Sequence, residues 1–282
     1  MITALDHFVL ICPDLKAGAD VYEALLGIPP DWVSAEQDGA ATALFRVQNT
    51  ALELLAPAGD GPVGDRVREM LSTKGPQLTS LAFRSDEIET DHRSLVRRGF
   101  RPSDIVEGSS THERTDERRI WKRFRGADDV CGGVKTFVLQ HGEPPATKTE
   151  ISADSVHALD HIVISTPNPD RAIAHYGARL GLDFRLDRTA QQWNTRFLFF
   201  RTGGLTFEVI HRLDQSPPPD SDDSIWGLTW AVDNLERAHA RVSGLGVDVS
   251  EVRQGRKPGS QVFTVRDGTL GVPTLFIAHE PR

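Results

Sequence analysis

The sequence has few cysteines, no long apolar run and no excess of basic charge, and each absence argues against a class of protein. Its only cysteines are Cys12 and Cys131 among 282 residues, which argues against a disulfide scaffold or a zinc site built from several thiolates. No run approaches the roughly 20 apolar residues of a membrane-spanning helix. The net charge of −8 disfavours nucleic-acid binding, which needs a basic surface. We therefore expect a small-molecule partner, no nucleic acid and no membrane.

The composition is that of a globular protein. Hydrophobic residues make up 39% and charged residues 26% of the chain, and the length suits two domains that each bury a core. The first residues show no basic segment followed by an apolar stretch, so no secretory signal is expected. A cytoplasmic location is the resulting prediction.

An internal repeat dominates the organisation of the sequence. The string Ala4-Leu5-Asp6-His7 recurs as Ala158-Leu159-Asp160-His161. The same offset relates further pairs: Val9 and Val163, Pro13 and Pro167, Tyr22 and Tyr176, Leu26 and Leu180, and Gly27 and Gly181. Repetition over this span predicts that the two halves of the chain are structural copies.

Each copy is predicted to form one strand, one helix and three further strands. Asp14 and Asn168 follow the first β-rich run and are suited to cap a helix, whose apolar residues recur with a period near 3.6. Gly27 and Gly181 are suited to end these helices. Two weaker copies of the same unit fill the remaining sequence, so four βαβββ modules are expected.

The module boundaries define two predicted domains. The N-terminal domain covers residues 1–142, with modules 1–57 and 76–142, and the C-terminal domain covers residues 155–282, with modules 155–213 and 225–282. A polar, proline-bearing segment at residues 143–150 separates them. In the second module only two strands are predicted after the helix, whereas the fourth module includes a strand over residues 247–252.

The module openings resemble those of the vicinal oxygen chelate superfamily. They read Leu5-Asp6-His7-Phe8-Val9 and Leu159-Asp160-His161-Ile162-Val163, each followed by a helix that ends at Leu-Gly. The resemblance covers nearly the whole chain and implies an α+β fold in which four βαβββ modules form two tandem glyoxalase-like domains, with curled mixed sheets around a cup. Glyoxalase I, methylmalonyl-CoA epimerase, extradiol dioxygenases and bleomycin-resistance proteins belong to this superfamily, so the resemblance leaves the substrate open.

The resemblance also implies metal ligands. The family takes them from the first and the last strand of a module, which points to His7 and Glu53 in the first module and to His161 and Glu208 in the third. Imidazole and carboxylate suit divalent Fe, Mn, Ni or Zn, with open positions for two substrate oxygens. The corresponding positions of the second and fourth modules carry no such ligand: they fall at Ser80, near Val138, at Gly227, and near Thr274 or Leu275.

Module pairing therefore decides how many ligands share a cup. Pairing modules one with two and three with four, or one with four and two with three, gives two ligands per cup. Only a pairing of modules one and three, between chains, would assemble both His and both Glu. Four other histidines are candidates for the vacant positions: His112, His141, His211 and His279. Homodimerisation through sheet edges is compatible with the family architecture.

Basic and aromatic side chains provide candidates for substrate binding. Arg119 and Arg123 lie in a mixed-charge run that can anchor an anionic substrate or form a solvated hairpin. Trp193 and Trp230 can line a cup or belong to a core, because aromatic residues dominate both.

Three functional hypotheses follow from different classes of protein; the third, after the two described next, is a structural or regulatory pseudoenzyme that binds neither metal nor ligand. The first is a metal-assisted enzyme of the glyoxalase, epimerase or dioxygenase type, a lyase or isomerase in the first two cases, acting on a small oxygenated and anionic molecule. No catalytic residue can be singled out for it. The second is a metal-free binding protein similar to the bleomycin-resistance members, which the ligand-poor second and fourth modules favour.

Overall fold

The computed structural model describes residues 1–142, 152–215 and 217–280. These residues form two eight-stranded mixed sheets that follow one another along the chain. The strands of the first sheet are β1 (Ala4–Ile11), β2 (Trp32–Val33), β3 (Ala40–Arg46), β4 (Ala51–Pro57), β5 (Gln77–Arg84), β6 (Val106–Thr111), β7 (Arg118–Arg125) and β8 (Lys135–His141). Those of the second are β9 (Val156–Ser165), β10 (Asp183–Ala190), β11 (Thr195–Thr202), β12 (Leu205–Arg212), β13 (Ser224–Val232), β14 (Arg253–Gln254), β15 (Ser260–Val265) and β16 (Thr274–His279). The predicted interdomain segment at residues 143–150 lies outside the described residues.

Six α-helices accompany the sheets within the described ranges. They are α1 (Leu15–Leu26), α2 (Pro62–Lys74), α3 (Ile88–Arg97), α4 (Asp128–Cys131), α5 (Pro169–Ala172) and α6 (Leu235–Ser243). A π-helical segment, Ile173–Arg179, continues α5, and a 3₁₀ turn, Gln191–Trp193, follows β10. Among these residues no helix has the length and apolar character needed to cross a membrane.

Each sheet is built from two βαβββ modules. The strand orders are β2-β3-β4-β1-β5-β8-β7-β6 and β10-β11-β12-β9-β13-β16-β15-β14. The first strands of two modules pair antiparallel at the centre, β1 with β5 and β9 with β13, and each is parallel to the last strand of its own module. The predicted α+β fold of two tandem domains with curled sheets is confirmed, and the sheets pair module one with two and module three with four.

Local sequence accounts for the start of each odd module. The Asp14 side chain accepts a hydrogen bond from the amide of Ala17 at 2.7 Å, and Asn168 does the same for Arg171 at 3.0 Å, which satisfies amides that a helix start leaves free. Gly27 ends α1 with φ of 73°, a left-handed conformation that favours glycine. These caps fix where each helix leaves its sheet.

The convex faces of the two sheets share one hydrophobic core. Phe8 of β1 contacts Trp230 of β13 with ring centroids 6.0 Å apart, and Phe83 of β5 stacks on Phe207 of β12 at 5.7 Å. All four side chains are fully buried. Strand alternation then turns the intervening residues toward the concave side, where each sheet forms a cup.

Hydrogen bonds cross the same boundary between the domains. The Asn49 side chain donates to the Leu159 carbonyl at 2.8 Å and accepts from its amide at 3.0 Å. Arg241 of α6 donates to the Leu25 carbonyl at the end of α1, at 3.1 Å. The two domains are therefore joined by polar contacts as well as by apolar packing.

The two cups differ in how their edges meet. In the first sheet β2 approaches β6, because the amide of Ala35 donates to Thr111 at 2.8 Å and that of Glu113 donates to Val33 at 2.9 Å. These bonds join the two edges of the N-terminal half-barrel and close the rim of its cup on that side. Within the described residues no backbone hydrogen bond joins β10 to β14, so the C-terminal cup stays open along that side.

Two strand predictions are wrong. The second module has a third strand, β6, which the sequence analysis missed because its residues Gly108, Ser109, Ser110 and Thr111 are polar or small and partly exposed. In the fourth module the predicted strand at residues 247–252 is reduced to a single bridge from Val249 to Val265. The short strand β14 follows it.

Candidate functional site

The structure brings each predicted histidine and glutamate together on a concave face. Val9 lies opposite Glu53 on β4, so their side chains point to the same face of the sheet. His7 is two residues before Val9 and shares that face, which therefore carries both His7 and Glu53. His7 Nε2 lies 3.4 Å from Glu53 Oε2, and His161 Nε2 lies 3.6 Å from Glu208 Oε2. Each of the four side chains is about one-fifth exposed. The pairs are thus partly buried but reachable from the cup.

A β-bulge in each central strand adds an aspartate that the sequence analysis did not identify. The pairing of β1 with β5 skips Asp6, and that of β9 with β13 skips Asp160. A bulge lets two consecutive residues point to the same side of a sheet. Asp6 Oδ1 therefore reaches His7 Nδ1 at 2.8 Å, and Asp160 Oδ1 reaches His161 Nδ1 at 2.7 Å.

A second histidine supports each aspartate from the last strand of the even module. His141 Nε2 lies 3.0 Å from Asp6 Oδ2, and His279 Nε2 lies 2.6 Å from Asp160 Oδ2. Burial opposes ionisation of Asp6, but hydrogen bonds from His141 and His7 outweigh it and hold its pKa well below the usual range. The pKa of Asp160 is lowered in the same way, by its hydrogen bonds to His161 and His279. Each cup thus contains a His-Asp-His chain that ends at a glutamate.

These hydrogen bonds fix which nitrogen of each cup histidine faces its glutamate. An ionised carboxylate only accepts hydrogen bonds, so Nδ1 of His7 and of His161 must carry the proton. Nε2 then presents either a lone pair or a second proton to the glutamate. Burial lowers the pKa of His7, but the carboxylates of Glu53 and Asp6 outweigh it and the net shift is upward. With a second proton on Nε2 the imidazole itself is positively charged and faces the glutamate. With a lone pair on Nε2, a cation between the imidazole and the glutamate is favoured.

Among the residues that the structure describes, the even modules supply no further metal ligand to either cup. Ser80 lies opposite Val9, and Gly227 lies opposite Val163. The position expected near Val138 falls at Phe137: Val138 is fully buried in the shared core, and strand alternation puts Phe137 on the concave face. In the C-terminal cup the nearest polar group is Thr229, whose hydroxyl shares a hydrogen bond of 2.9 Å with His161 Nε2.

The other candidate histidines do not complete a metal site. The Nε2 atoms of His141 and His279 are bound to Asp6 and Asp160, respectively, on the side of each aspartate away from the glutamate. His211 binds the Thr166 carbonyl at 3.0 Å, and His112 packs edge-on against Trp32. In the described part of the chain no three His, Cys, Asp or Glu side chains gather closely enough to hold an ion together.

A divalent ion can be tested against this donor set. Donors roughly 2.0–2.2 Å from zinc or a similar ion lie about 3.0–3.6 Å from one another, which agrees with the separation in both pairs. The aspartate behind each imidazole is the usual partner of a metal-bound histidine. The residues therefore fit an ion in kind and in separation, with its remaining positions open to water or substrate.

The predicted arginines lie on the concave face of the N-terminal cup. Phe124 of β7 is buried in the core, so Arg119 and Arg123 point the other way. The Arg119 guanidinium stacks 3.9 Å from the ring centroid of Trp32. Burial lowers the pKa of Arg119 to about 10, although the charge of Glu53 opposes the shift. Arg119 is therefore a fixed cation beside His7 and Glu53.

The C-terminal cup is lined by apolar side chains. Two clusters separate from the shared core flank the pair of His161 and Glu208. One contains Val163, Ala190, Phe197, Phe199 and Ile210, and the other contains Ala158, Ala231, Val262, Leu275 and Ile277. Burial raises the pKa of Glu208, and the charges of His161 and Arg256 oppose the shift only in part.

The two predicted tryptophans lie in different environments. Trp193 is 38% exposed, and the guanidinium of Arg256 lies 4.2 Å from its ring centroid at the mouth of the C-terminal cup. Trp230 is fully buried against Phe8 in the shared core. The proposed contact of Trp230 with a ligand is wrong, because the neighbouring Thr229 occupies the concave face and strand alternation turns Trp230 away.

Comparison with protein families identifies the class. A glyoxalase-like domain model matches residues 5–158, and a glyoxalase/bleomycin resistance protein/dioxygenase superfamily model matches residues 160–264. The chain belongs to the glyoxalase-like family. With its two matched regions and paired βαβββ modules, it is a two-domain protein of the vicinal oxygen chelate superfamily.

Solved structures share the fold at low sequence identity. A triple mutant of 4-hydroxymandelate synthase from Streptomyces coelicolor has a TM-score of 0.70 and 14% identity over 99% of this chain and 93% of that chain. A hypothetical protein from Staphylococcus aureus has a TM-score of 0.63 and 10% identity over 98% and 100%. A fusion of a xylose isomerase-like TIM barrel and 4-hydroxyphenylpyruvate dioxygenase has a TM-score of 0.65 and 12% identity, covering 100% of this chain and 49% of that one. No curated protein matches the sequence.

Proposed function

We propose that the protein is a metal-assisted enzyme of lyase, isomerase or dioxygenase type that acts on a small, oxygenated, anionic molecule in its C-terminal cup. His161 and Glu208 would hold a divalent Fe, Mn, Ni or Zn ion. When bound, such an ion polarises substrate oxygens as a Lewis acid. The similarity in fold to a synthase and to a dioxygenase fusion protein is compatible with this class and does not select the reaction.

One observation carries the proposal: the orientation of His161 by Asp160. The aspartate at 2.7 Å from Nδ1 directs Nε2 toward Glu208, 3.6 Å away. Nε2 and the carboxylate face each other favourably only when a proton or a metal cation lies between them, and the separation of the two donors suits a metal cation. The same carboxylate-imidazole pairing orients metal-bound histidines in proteins.

The residues of the cup would hold and orient a substrate in distinct ways. Glu208 has a raised pKa because it is buried, and a cation beside it would favour its ionised form. Thr229, now bound to His161 Nε2 at 2.9 Å, can turn its hydroxyl toward a substrate oxygen. Arg256 at the mouth can bind an anionic group, and Trp193 below it can cover the bound molecule.

The apolar walls would favour this chemistry by excluding water. Phe197 and Phe199 line one side of the pair and Leu275 and Ile277 the other. A charge interaction is stronger in such surroundings than in bulk water, because the local dielectric constant is lower. The cup would therefore strengthen the hold of His161 and Glu208 on an ion and on the substrate oxygens.

A metal-free binding protein is the second candidate function. It is favoured by the number of donors, since each cup offers two side chains where catalytic metal sites usually have three. In this case Arg256, Trp193 and the apolar walls would bind a small molecule, and the pair of His161 and Glu208 would share a proton.

Elemental analysis separates the two functions. The protein should be purified without chelators and its metal content compared with that of His161→Ala and His7→Ala. We expect a stoichiometric ion in the native protein that is lost in His161→Ala. The His7→Ala variant changes the equivalent residue of the other cup and should keep the ion.

Spectroscopy provides a second measurement that does not depend on activity. Cobalt(II) added to the chelator-treated protein should give absorption bands that disappear in Glu208→Gln. If the native protein contains no ion and cobalt gives the same spectrum in all variants, the enzyme proposal is rejected. Stabilisation by a small-molecule ligand alone would then support the binding protein.

A further inference from the structure

The N-terminal cup contains a charged group that the proposed function does not use. The Arg119 guanidinium lies over Trp32 at 3.9 Å, and its charge acts on both Glu53 and His7. Arg119 forms no ion pair within 4.0 Å in the described part of the chain, and its buried Nε has no hydrogen-bond partner there. The cation is held in place and retains donors for a ligand.

The neighbouring charges are already paired, so they leave Arg119 available. Arg46 binds Asp31 at 3.2 Å, and both side chains are largely buried. Glu53 is opposed by His7 at 3.4 Å. Among the described residues, the Arg119 guanidinium therefore keeps unused hydrogen-bonding capacity beside His7 and Glu53.

The position of Arg119 is fixed by the closed rim of the cup. The Trp32 indole Nε1 donates to Ser110 Oγ at 2.9 Å, which joins β2 to β6 and fixes the ring below the guanidinium. Arg123 lies further along the same face of β7, 5.7 Å from the ring centroid of Phe137. The cup thus offers a guanidinium, a second arginine and a flat aromatic wall.

We propose that the N-terminal cup binds a small planar carboxylate without a metal ion, anchored by Arg119. A guanidinium presents parallel donors that match the two oxygens of a carboxylate. Its permanent charge beside His7 and Glu53 repels a divalent ion from that pair. Arg119 therefore takes the electrostatic role in this cup that we assign to an ion in the other.

Calorimetry with benzoate and benzamide tests the site. The two probes have the same shape, but only benzoate carries a charge. We expect saturable benzoate binding by the full chain in the presence of a chelator, and much weaker benzamide binding. Arg119→Met should weaken benzoate binding by about tenfold to a hundredfold, since a charged hydrogen-bonding partner is lost.

Matched variants locate the binding to one cup. Arg256→Met changes the arginine that stacks on Trp193 in the other cup, and it should leave benzoate affinity unchanged, as should His161→Ala. Arg119→Lys keeps the charge and should recover part of the affinity. Thermal melting of each variant confirms that it is folded.

Several results would overturn the inference. These are the absence of saturable benzoate binding, equal binding of benzamide, an unchanged affinity in a folded Arg119→Met variant, or a loss caused by Arg256→Met instead. Because binding is measured with a chelator present, the result does not depend on whether the C-terminal cup holds an ion. The inference and the proposed function can therefore fail separately.

Discussion

The two cups have the same polar centre and different walls. Each centre consists of a glutamate, a histidine, a bulged aspartate and a supporting histidine. In the N-terminal cup the rim is closed by hydrogen bonds between β2 and β6, and Arg119 lies beside the pair. In the C-terminal cup the side between β10 and β14 is open, and apolar clusters flank the pair.

From this difference we propose that the residues around a shared centre decide its chemistry. A fixed guanidinium supplies positive charge without an ion, whereas the apolar walls of the other cup strengthen the attraction of its histidine and glutamate for a cation. We therefore propose an ion for the C-terminal pair and a carboxylate ligand for the N-terminal cup. Four predictions test this comparison, in order of decreasing expected effect.

The largest effect should come from the core that both domains share. Trp230 is fully buried against Phe8, so Trp230→Ala should lower the free energy of unfolding by about 3–5 kcal/mol. Trp193→Ala, at the mouth of the C-terminal cup, should change it by less than about 1 kcal/mol. Urea unfolding measures both. Equal losses of unfolding free energy in the two variants would contradict the assignment of Trp230 to the core and of Trp193 to the mouth of the cup.

An intermediate effect should come from the bulged aspartates. Asp6 is 4% exposed and binds His7, His141 and Arg84, so Asp6→Asn should lower stability by about 2–3 kcal/mol at neutral pH. Asp160, which is 23% exposed, should contribute less. If neither Asp6→Asn nor Asp160→Asn changed the stability, the two hydrogen-bonded His-Asp-His chains would not be what holds the cup histidines.

The loss in Asp6→Asn should also depend on pH with a defined sign. The pKa of Asp6 is lowered in the folded protein, so its stabilising effect is complete above the unfolded pKa of about 3.9 and declines as the pH falls toward the folded value. Asp6 also helps to raise the pKa of His7, and that contribution is lost as the pH rises from the unfolded histidine pKa of about 6.5 through the folded value. The difference between native protein and variant should therefore be largest between about pH 4 and pH 6.5 and shrink both in acid and above neutrality. A difference that grows in acid would contradict the assigned ionisation.

The smallest effect should be a gain of metal affinity in the N-terminal cup. If Arg119 repels an ion from His7 and Glu53, Arg119→Met in a His161→Ala background should raise zinc affinity by about threefold to tenfold. Competition with an indicator chelator measures this. Adding His7→Ala should abolish the gain, and an unchanged affinity would remove Arg119 as the reason for the difference between the cups.

The fold could be predicted well because its signals are local and repeated. The recurring Leu-Asp-His string, the capping residues Asp14 and Asn168 and the terminal Gly27 all specify elements within a few residues. The strand β6 was missed because its polar residues lack the alternation that marks a half-buried strand. Module pairing also had to come from the structure, since strand register across a sheet depends on distant residues.

The site could be predicted only in part. His7 and Glu53 follow from the family pattern. The role of Asp6 depends on a β-bulge, which the residue types in this strand do not predict. Trp230 was placed wrongly because residue type alone does not distinguish an aromatic side chain buried in a core from one that contacts a ligand. The proximity of Arg119 to His7 results from sheet curvature, which brings β7 toward β1 without a sequence signal.

The single core beneath both sheets has a consequence for how such a duplicated protein can change over evolutionary time. A substitution on a convex face, as at Phe83 or Phe207, disturbs the packing of both halves at once and must be compensated across the boundary. A substitution inside one hollow leaves the other untouched. Duplication thus gives two compartments that can acquire separate ligands. The shared core meanwhile requires both halves to keep matching backbone shapes.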